Sequence, residues 1–236
     1  MELELTQERK ADADRARTLC QLMEKRHSCR SFLPDPVAIE MQHRILECAQ
    51  HTASWCNAQP WRVHITQGPA TERFRELMLS APSEGEPAAD FDWPAAYEGV
   101  YRQRRFDCAM QLYESVGIER GDRAGSARQA RENFRLFGAP HVAMITTDAN
   151  LGVYGAIDCG AFVANFMLAA ASLGIASIAQ ASLASRPGRI REFFGLDESR
   201  LVVCGISFGY EDLAHPSNGF RTTRARLNDV ATFVRE

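Results

Sequence analysis

Apolar positions concentrate between Tyr154 and Ala181 (YGAIDCGAFVANFMLAAASLGIASIAQA). The first part of this stretch has helical period. Ala156, Cys159, Gly160, Val163, Met167, Ala170 and Ala171 recur at three- and four-residue steps and share one face. Phe162, Phe166, Leu168, Ala169 and Leu173 cover much of the remainder. A helix that is apolar nearly all round has no solvent face, so the pattern predicts a place in the middle of a domain or between two subunits. Gly174 ends it, as glycine does in a left-handed turn. Ile175 to Ala181 reads as a short buried strand. Asp158, Asn165, Ser172 and Gly174 interrupt the run too often for a membrane span, which needs about 20 nearly uninterrupted apolar residues.

The pattern elsewhere is weaker. Ala11 to Lys25 predicts a charged amphipathic helix with Ala16, Leu19, Cys20, Leu22 and Met23 on its apolar side. Arg26 to Pro36 is a basic loop closed by two prolines. Val37 to His51 predicts a second helix with Ile39, Ile45, Leu46 and Ala49 inward. After a polar turn, Trp61, Val63 and Ile65 alternate with polar residues, the period of a half-buried strand. Pro69 opens a helix through Leu79. Ala81 to Pro94 is a long loop of the kind that forms lids or binding loops. Helices are expected over Ala95–Val116, Asp122–Leu136 and Pro187–Phe194, strands over His141–Thr147 and Leu201–Phe208, and a short last strand at Ala231–Val234. Four or five strands separated by helices predict an α+β or α/β three-layer domain.

Composition narrows the classes without selecting one. The 236 residues are 45% apolar and 24% charged, ordinary for a globular protein. A net charge of −3 gives no field for nucleic acid or a membrane surface. Seven scattered cysteines without a CxxC pair offer neither a zinc site nor a disulfide framework. The charged N-terminus has no apolar core for a signal peptide, and a cytoplasmic location is expected.

The chain shows no GxSxG, HExxH, P-loop or GxGxxG, and its six histidines lack metal-ligand spacing. Cys29 and Cys56 lie in polar loops, where the readings are a lowered thiol pKa or an unreactive small side chain. Arg26, Ser28 and Arg30 alternate in one loop; they fit a phosphate or carboxylate cradle and, equally, a solvated basic turn. Asn57 and Gln59 alternate before a strand, where primary amides suit a ligand rim of donors and acceptors but are also ordinary turn residues. Arg221 and Arg224 carry the same ambiguity as the arginine loop.

Four segments in order resemble the FMN-dependent nitroreductase superfamily. They are R-H-S-C-R-S-F from Arg26, S-W-C-N-A-Q-P-W from Ser54, D-C-G-A…N-F-M-L-A-A-A-S-L-G-I from Asp158, and G-I-S-F-G-Y-E-D from Gly205. W-P…Y-E-G-V-Y-R-Q-R-R, I-A-Q-A-S-L-A and S-N-G-F-R-T-T-R-A are similar to the branch that includes bacterial nitrobenzoate reductases. The resemblance implies a three-layer α-β-α fold of the α+β class, with a central mixed sheet around a buried helix, in an intertwined homodimer with FMN at the subunit interface. It makes residues 1–236 a single domain whose positions 81–137 form a helical cap. It assigns Arg26, His27, Ser28, Arg30, Arg221 and Arg224 to the flavin, with Ser54 and Asn57 from the other subunit, Gln59 from the same loop, and Ala179, Gln180 and Ala181 beside the ring. Thr222 stands where some relatives carry lysine. Trp55, Trp93, Tyr97, Arg105, Phe134 and Phe137 fall where relatives cap the substrate pocket.

The activity implied is transfer of electrons from NADH or NADPH, through FMN, to a flat electron-poor acceptor such as a nitroaromatic or quinone. The cofactor carries the hydride, so no protein nucleophile is needed. A flavin-dependent dehydrogenase or dehalogenase on the same scaffold, and a non-catalytic FMN sensor or store, are the alternatives.

Overall fold

The computed structural model describes residues 2–80 and 88–235. In chain order the elements are α1 (Glu2–Lys25), α2 (Ile39–Gln50), β1 (Arg62–Ile65), α3 (Pro69–Leu79), α4 (Gly99–Ser115), α5 (Arg123–Arg131), β2 (His141–Asp148), α6 (Gly152–Ser172), β3 (Ala176–Gln180), α7 (Pro187–Phe194) and β4 (Arg200–Gly209). The architecture is α+β. The strands form one sheet in the order β1-β2-β4-β3, antiparallel at every pairing. The sheet is therefore not mixed as expected; its one described parallel contact is the bridge between Ser28 and Ser177. The chain past Ala231 forms no strand, because nothing among the described residues pairs with it. Of the loop expected at Ala81–Pro94, positions 81–87 lie outside the described residues.

Two apolar clusters pack on the sheet. One joins Cys159, Phe162, Val163, Phe166, Ala169 and Ala170 of α6 to Ile45 and Ala49 of α2, and to Ala143, Ile145, Ile206 and Phe208 of the sheet. The other collects Phe74 and Met78 of α3, Ile190 of α7, Val142 and Met144 of β2, and Leu136 and Phe137. Helices thus cover both faces of a sheet only four strands wide.

The helix α6 has two apolar faces with different fates. Gly155, Cys159, Phe162, Val163, Phe166, Ala169 and Ala170 are buried. Val153, Tyr154 and Ile157 remain 65%, 53% and 58% exposed. Gly160, expected on the packed face, is exposed and a Cβ there would meet nothing within 4 Å. Gly155 takes the close approach instead, where a Cβ would come within 2.6 Å of Thr147 Oγ1. By length and composition this helix passes for a membrane span. One of its faces packs on the sheet, and two of its polar side chains are hydrogen-bonded within the chain: Asn165 donates to Thr52 Oγ1 at 2.7 Å, and Asp158 accepts the Trp55 backbone N–H at 3.1 Å.

The helix α1 begins nine residues earlier than Ala11, and its described side chains are mostly exposed, including Leu19 and Met23. Ile39, expected inward, is also exposed, whereas Ile45 and Ala49 are fully buried. The expected helix over Asp122–Leu136 ends at Arg131, and a tight turn follows with Leu136 and Phe137 at φ of 57° and 51°. Two left-handed non-glycine residues in succession cost energy that packing must offset; both side chains are buried.

Candidate active site

The loop after α1 runs along the open edge of the sheet. Cys29 N–H donates to Ser177 O at 3.2 Å, the start of β3, and Phe32 N–H to Phe137 O at 3.2 Å. Beyond Ser177 the edge of β3 carries no further strand among the described residues, and Ala179 and Ala181 are exposed there. This leaves backbone N–H and C=O groups facing outward beside the arginine loop.

Asn218 fixes that loop from the far end of the chain. Its Oδ1 accepts the Arg30 backbone N–H at 2.6 Å, and its Nδ2 donates to Ser31 O at 2.9 Å and Asp212 O at 3.0 Å. His27 closes the other side, with Nε2 2.8 Å from Glu211 Oε1. The histidine ring is therefore held by the turn after β4 as well as bordering the cleft.

A cleft of about 500 Å³ opens between these segments. Arg26, His27, Ser28, Arg30, Arg221, Thr222 and Arg224 line it, with Met23, Glu24, Cys108 and Phe220. Two stretches nearly 200 positions apart thus form one basic cradle. Arg30 lies over the Phe220 ring at 5.4 Å, and its charged form is disfavoured mainly by burial. Arg26 is also shifted below the ordinary guanidinium value, first by burial and then by the charge of Arg224. Arg221 and Arg224 donate to backbone oxygens of the tail, which orients both guanidinium groups. Like charges held together and partly desolvated form a site that an anion relieves.

The amide loop lies elsewhere. Ser54 Oγ accepts the Gln59 backbone N–H at 3.0 Å, and Gln59 Oε1 accepts from Gln50 Nε2 at 2.8 Å. Cys56, Asn57 and Gln59 adopt φ of 51°, 56° and 47°. Three left-handed non-glycine residues so close together mark a loop held in a costly shape. Trp55 is exposed and meets Tyr154 of α6 edge-on, with ring centroids 4.3 Å apart. This loop borders the exposed face of α6 and contributes no residue to the cleft within one chain.

The remaining predicted residues divide by burial. The Gln180 side chain points into the protein, accepting from Ser207 Oγ and donating to Asn133 O at 2.8 Å. Phe137 is buried in the second apolar cluster and Phe134 packs against it, under the Arg186 guanidinium at 4.9 Å. Trp93 and Tyr97 are exposed, and Arg105 sits over the Tyr97 ring at 5.2 Å. Burial pushes the Cys29 thiol up to about 12, so it is an inert core residue. Asn218, Phe220 and Cys108 were not singled out from the sequence. Asn218 and Phe220 do fall inside the S-N-G-F-R-T-T-R-A segment.

Comparison with known proteins agrees with this geometry. The model of the Nitroreductase family matches residues 23–210. The chain belongs to the nitroreductase family. Among related nitroreductases, NfnB of Mycolicibacterium smegmatis is 35% identical over 223 residues, covering 94% of this chain and 95% of the relative. The 4-nitrobenzoate reductase of Pseudomonas putida is 33% identical over 211 residues, covering 89% and 92%. A crystal structure of the FMN-dependent nitroreductase NfnB from Mycobacterium smegmatis in complex with NADPH superposes with a TM-score of 0.88, covering 93% of this chain and 99% of that one. The FMN- and NADPH-dependent NfnB of Sphingopyxis sp. strain HMH is 27% identical with a TM-score of 0.87, covering 92% and 99%.

Proposed function

We propose that this nitroreductase-family chain is an FMN-dependent oxidoreductase that takes electrons from a nicotinamide nucleotide, NADPH in the first instance, and delivers them to a flat electron-poor acceptor such as a nitroaromatic. The observation that carries this reading is the cradle. Arg26 and Arg224 face the same cleft, where the charge of Arg224 disfavours that of Arg26, beside a sheet edge on which no further strand lies among the described residues. A phosphate on the guanidinium groups and a planar ring along the edge fit that arrangement. The named cofactor and donor of the NfnB structures support the choice. Bound FMN supplies the hydride transfer itself.

The protein's part is positioning. Arg26, Arg30 and Arg224 would hold the phosphate, with Ser28 and Arg221 adding hydrogen bonds. The exposed backbone around Ala179 and Ala181 would flank the ring. His27, already held by Glu211, would order the loop more than contact the ligand.

Homodimerisation completes the reading. The uncovered apolar face of α6 and the exposed Leu19 and Met23 of α1 call for a second copy. That copy would bring its Ser54–Gln59 loop to the cradle, which a single chain lacks. Trp55 of that loop would then border the acceptor together with Trp93, Tyr97 and Arg105, which belong to the cap of residues 81–137 on one domain. Arg105 suits an acceptor that carries a carboxylate. Seven free cysteines fit a reducing, cytoplasmic setting.

An anaerobic visible spectrum tests the proposal. Protein reconstituted with FMN is expected to bleach rapidly on adding NADPH and to recover colour on adding a nitrobenzoate. Flavin that binds but does not bleach would instead make the chain an FMN-binding protein. Failure to take up FMN would overturn the assignment.

A further inference from the structure

The amide loop is wired to the core through a hydrogen-bond relay with a fixed direction. The Trp61 indole is buried and stacks on Phe162 of α6, with ring centroids 5.0 Å apart. Its Nε1–H donates to Oε1 of Gln50, the last residue of α2, at 2.9 Å. Gln50 Nε2 donates in turn to Gln59 Oε1 at 2.8 Å, and Gln59 Nε2 to Asn57 O at 3.2 Å. We propose that Gln50 is a positioning residue which, anchored by Trp61, fixes Gln59 as a hydrogen-bond donor, so that the loop meets an acceptor atom on the rim of the flavin ring. The proposal rests on the flavin reading above, in which a second copy brings this loop to the cradle, and deepens it from the residues that meet the ring to the polarity they present.

The chemistry of the relay is the first argument. An indole N–H can only donate, whereas a primary amide can present either end. Trp61 therefore takes the oxygen of Gln50, which leaves that amide its nitrogen for Gln59. The Gln59 oxygen is spent on Gln50. Its nitrogen keeps a second N–H beyond the bond to Asn57, and nothing among the described residues accepts it.

The other acceptors of the loop are the second argument. Ser54 O accepts the Asn57 N–H at 3.0 Å, and Trp55 O the Ala58 N–H at 2.9 Å. Ser54 Oγ is taken by the Gln59 backbone N–H, and Asn57 O by the Gln59 side chain. A loop whose acceptors are engaged within itself meets a ligand with its donors. The same bonds hold Asn57 and Gln59 at positive φ, so the polarity and the costly backbone shape are kept together. A planar flavin has carbonyl oxygens and ring nitrogens on its rim, and a fixed donor there favours the electron-richer reduced ring. Gln50 lies outside the cleft lining and acts through Gln59.

Gln50→Glu tests the relay by reversing it. The new carboxylate still accepts from Trp61 but cannot donate, so Gln59 must turn its nitrogen inward and its oxygen outward. In protein reconstituted with FMN, the flavin midpoint potential, read by equilibration with a reference dye, is expected to fall by about 30 mV, the equivalent of a tenfold loss of preference for the reduced form. The potential is read on loaded protein, so a loosened loop that only lowers FMN occupancy does not move it. In a Gln59→Leu background there is no amide to turn, and adding Gln50→Glu is expected to leave the potential where Gln59→Leu sets it. An unchanged potential in Gln50→Glu, with a parent that takes up FMN and bleaches with NADPH, overturns the relay and leaves the flavin reading standing. An equal fall with and without Gln59 also overturns it, because the added charge then accounts for the effect. A parent that takes up no FMN overturns both proposals together.

Discussion

Asp90 Oδ2 lies 2.7 Å from the Arg191 guanidinium, with both side chains only 10% exposed, and the same oxygen accepts the Val202 backbone N–H at 2.7 Å. One carboxylate thus ties the chain just past position 87 to α7 and β4. On the other side of positions 81–87, Arg186 donates to Met78 O and Ser80 O at 2.8 and 2.7 Å, and Arg189 to Leu77 O at 2.9 Å. All three arginines lie on or beside α7. Arg191 Nε makes no hydrogen bond even with Asp90 in place. Asp90→Ala is therefore expected to cost about 3–5 kcal/mol, because it strands a buried guanidinium. A urea midpoint equal to that of the parent would refute this.

Two glycines on α6 separate packing within the chain from packing between chains. Gly155→Ala forces a methyl against Thr147 Oγ1 and is expected to destabilise the fold by about 1–3 kcal/mol. Gly160→Leu meets open space in one chain, so the fold of a single subunit should tolerate it. If a second copy covers this face, Gly160→Leu weakens the dimer instead. Thermal unfolding and sedimentation of both variants distinguish the two; an unchanged dimer in Gly160→Leu would move the interface off this part of α6.

The cradle makes a prediction about affinity. Arg26→Ala and Arg224→Ala each remove a charge-assisted contact of roughly 1.5–3 kcal/mol. Each variant should lose FMN more than tenfold relative to the parent by fluorescence titration. Parent-like affinity in both would dissociate the arginine cleft from the flavin phosphate.

His141 sets a pH limit. Its Nε2 accepts the Val37 backbone N–H at 3.0 Å, so the neutral ring with hydrogen on Nδ1, 3.1 Å from Thr66 O, is the form the fold holds. Burial lowers its pKa below the ordinary 6.5. His64 is lowered too, by burial and then by Arg200 and Arg62. A group whose folded pKa is depressed binds its proton more readily when unfolded. Stability is then complete above about 6.5 and falls as pH drops from there towards the lower folded values. His141→Gln should flatten part of that fall in unfolding midpoints measured between pH 7.5 and 5. An identical slope would assign the loss to other groups.

The central helix was readable because all-round apolarity has few outcomes. Which face meets the sheet was not readable, since both are hydrophobic. The choice rests on a close approach between Gly155 and Thr147 that no periodicity encodes. The arginines of the cleft stood out because guanidinium groups at alternate positions need a reason to be together. Asn218 did not, because its work is to hold the backbone of a segment far away in sequence. Phe134 and Phe137 drew a pocket role from the resemblance alone, and what the sequence did not show is that Phe137 sits in the second apolar cluster with Phe134 packed against it. The sheet's uniform antiparallel order was hidden because helices separate most of its strands, and such spacing permits either direction.

The cradle joins position 26 to position 224, with Asn218 between them as the fastener. During synthesis, therefore, the ribosome must release the chain past Arg224 before any anion can be gripped from both sides. The ligand cannot act as a template for the early chain. A nascent chain truncated ahead of Asn218 would carry the entire sheet with only the Arg26–Arg30 half of the cradle.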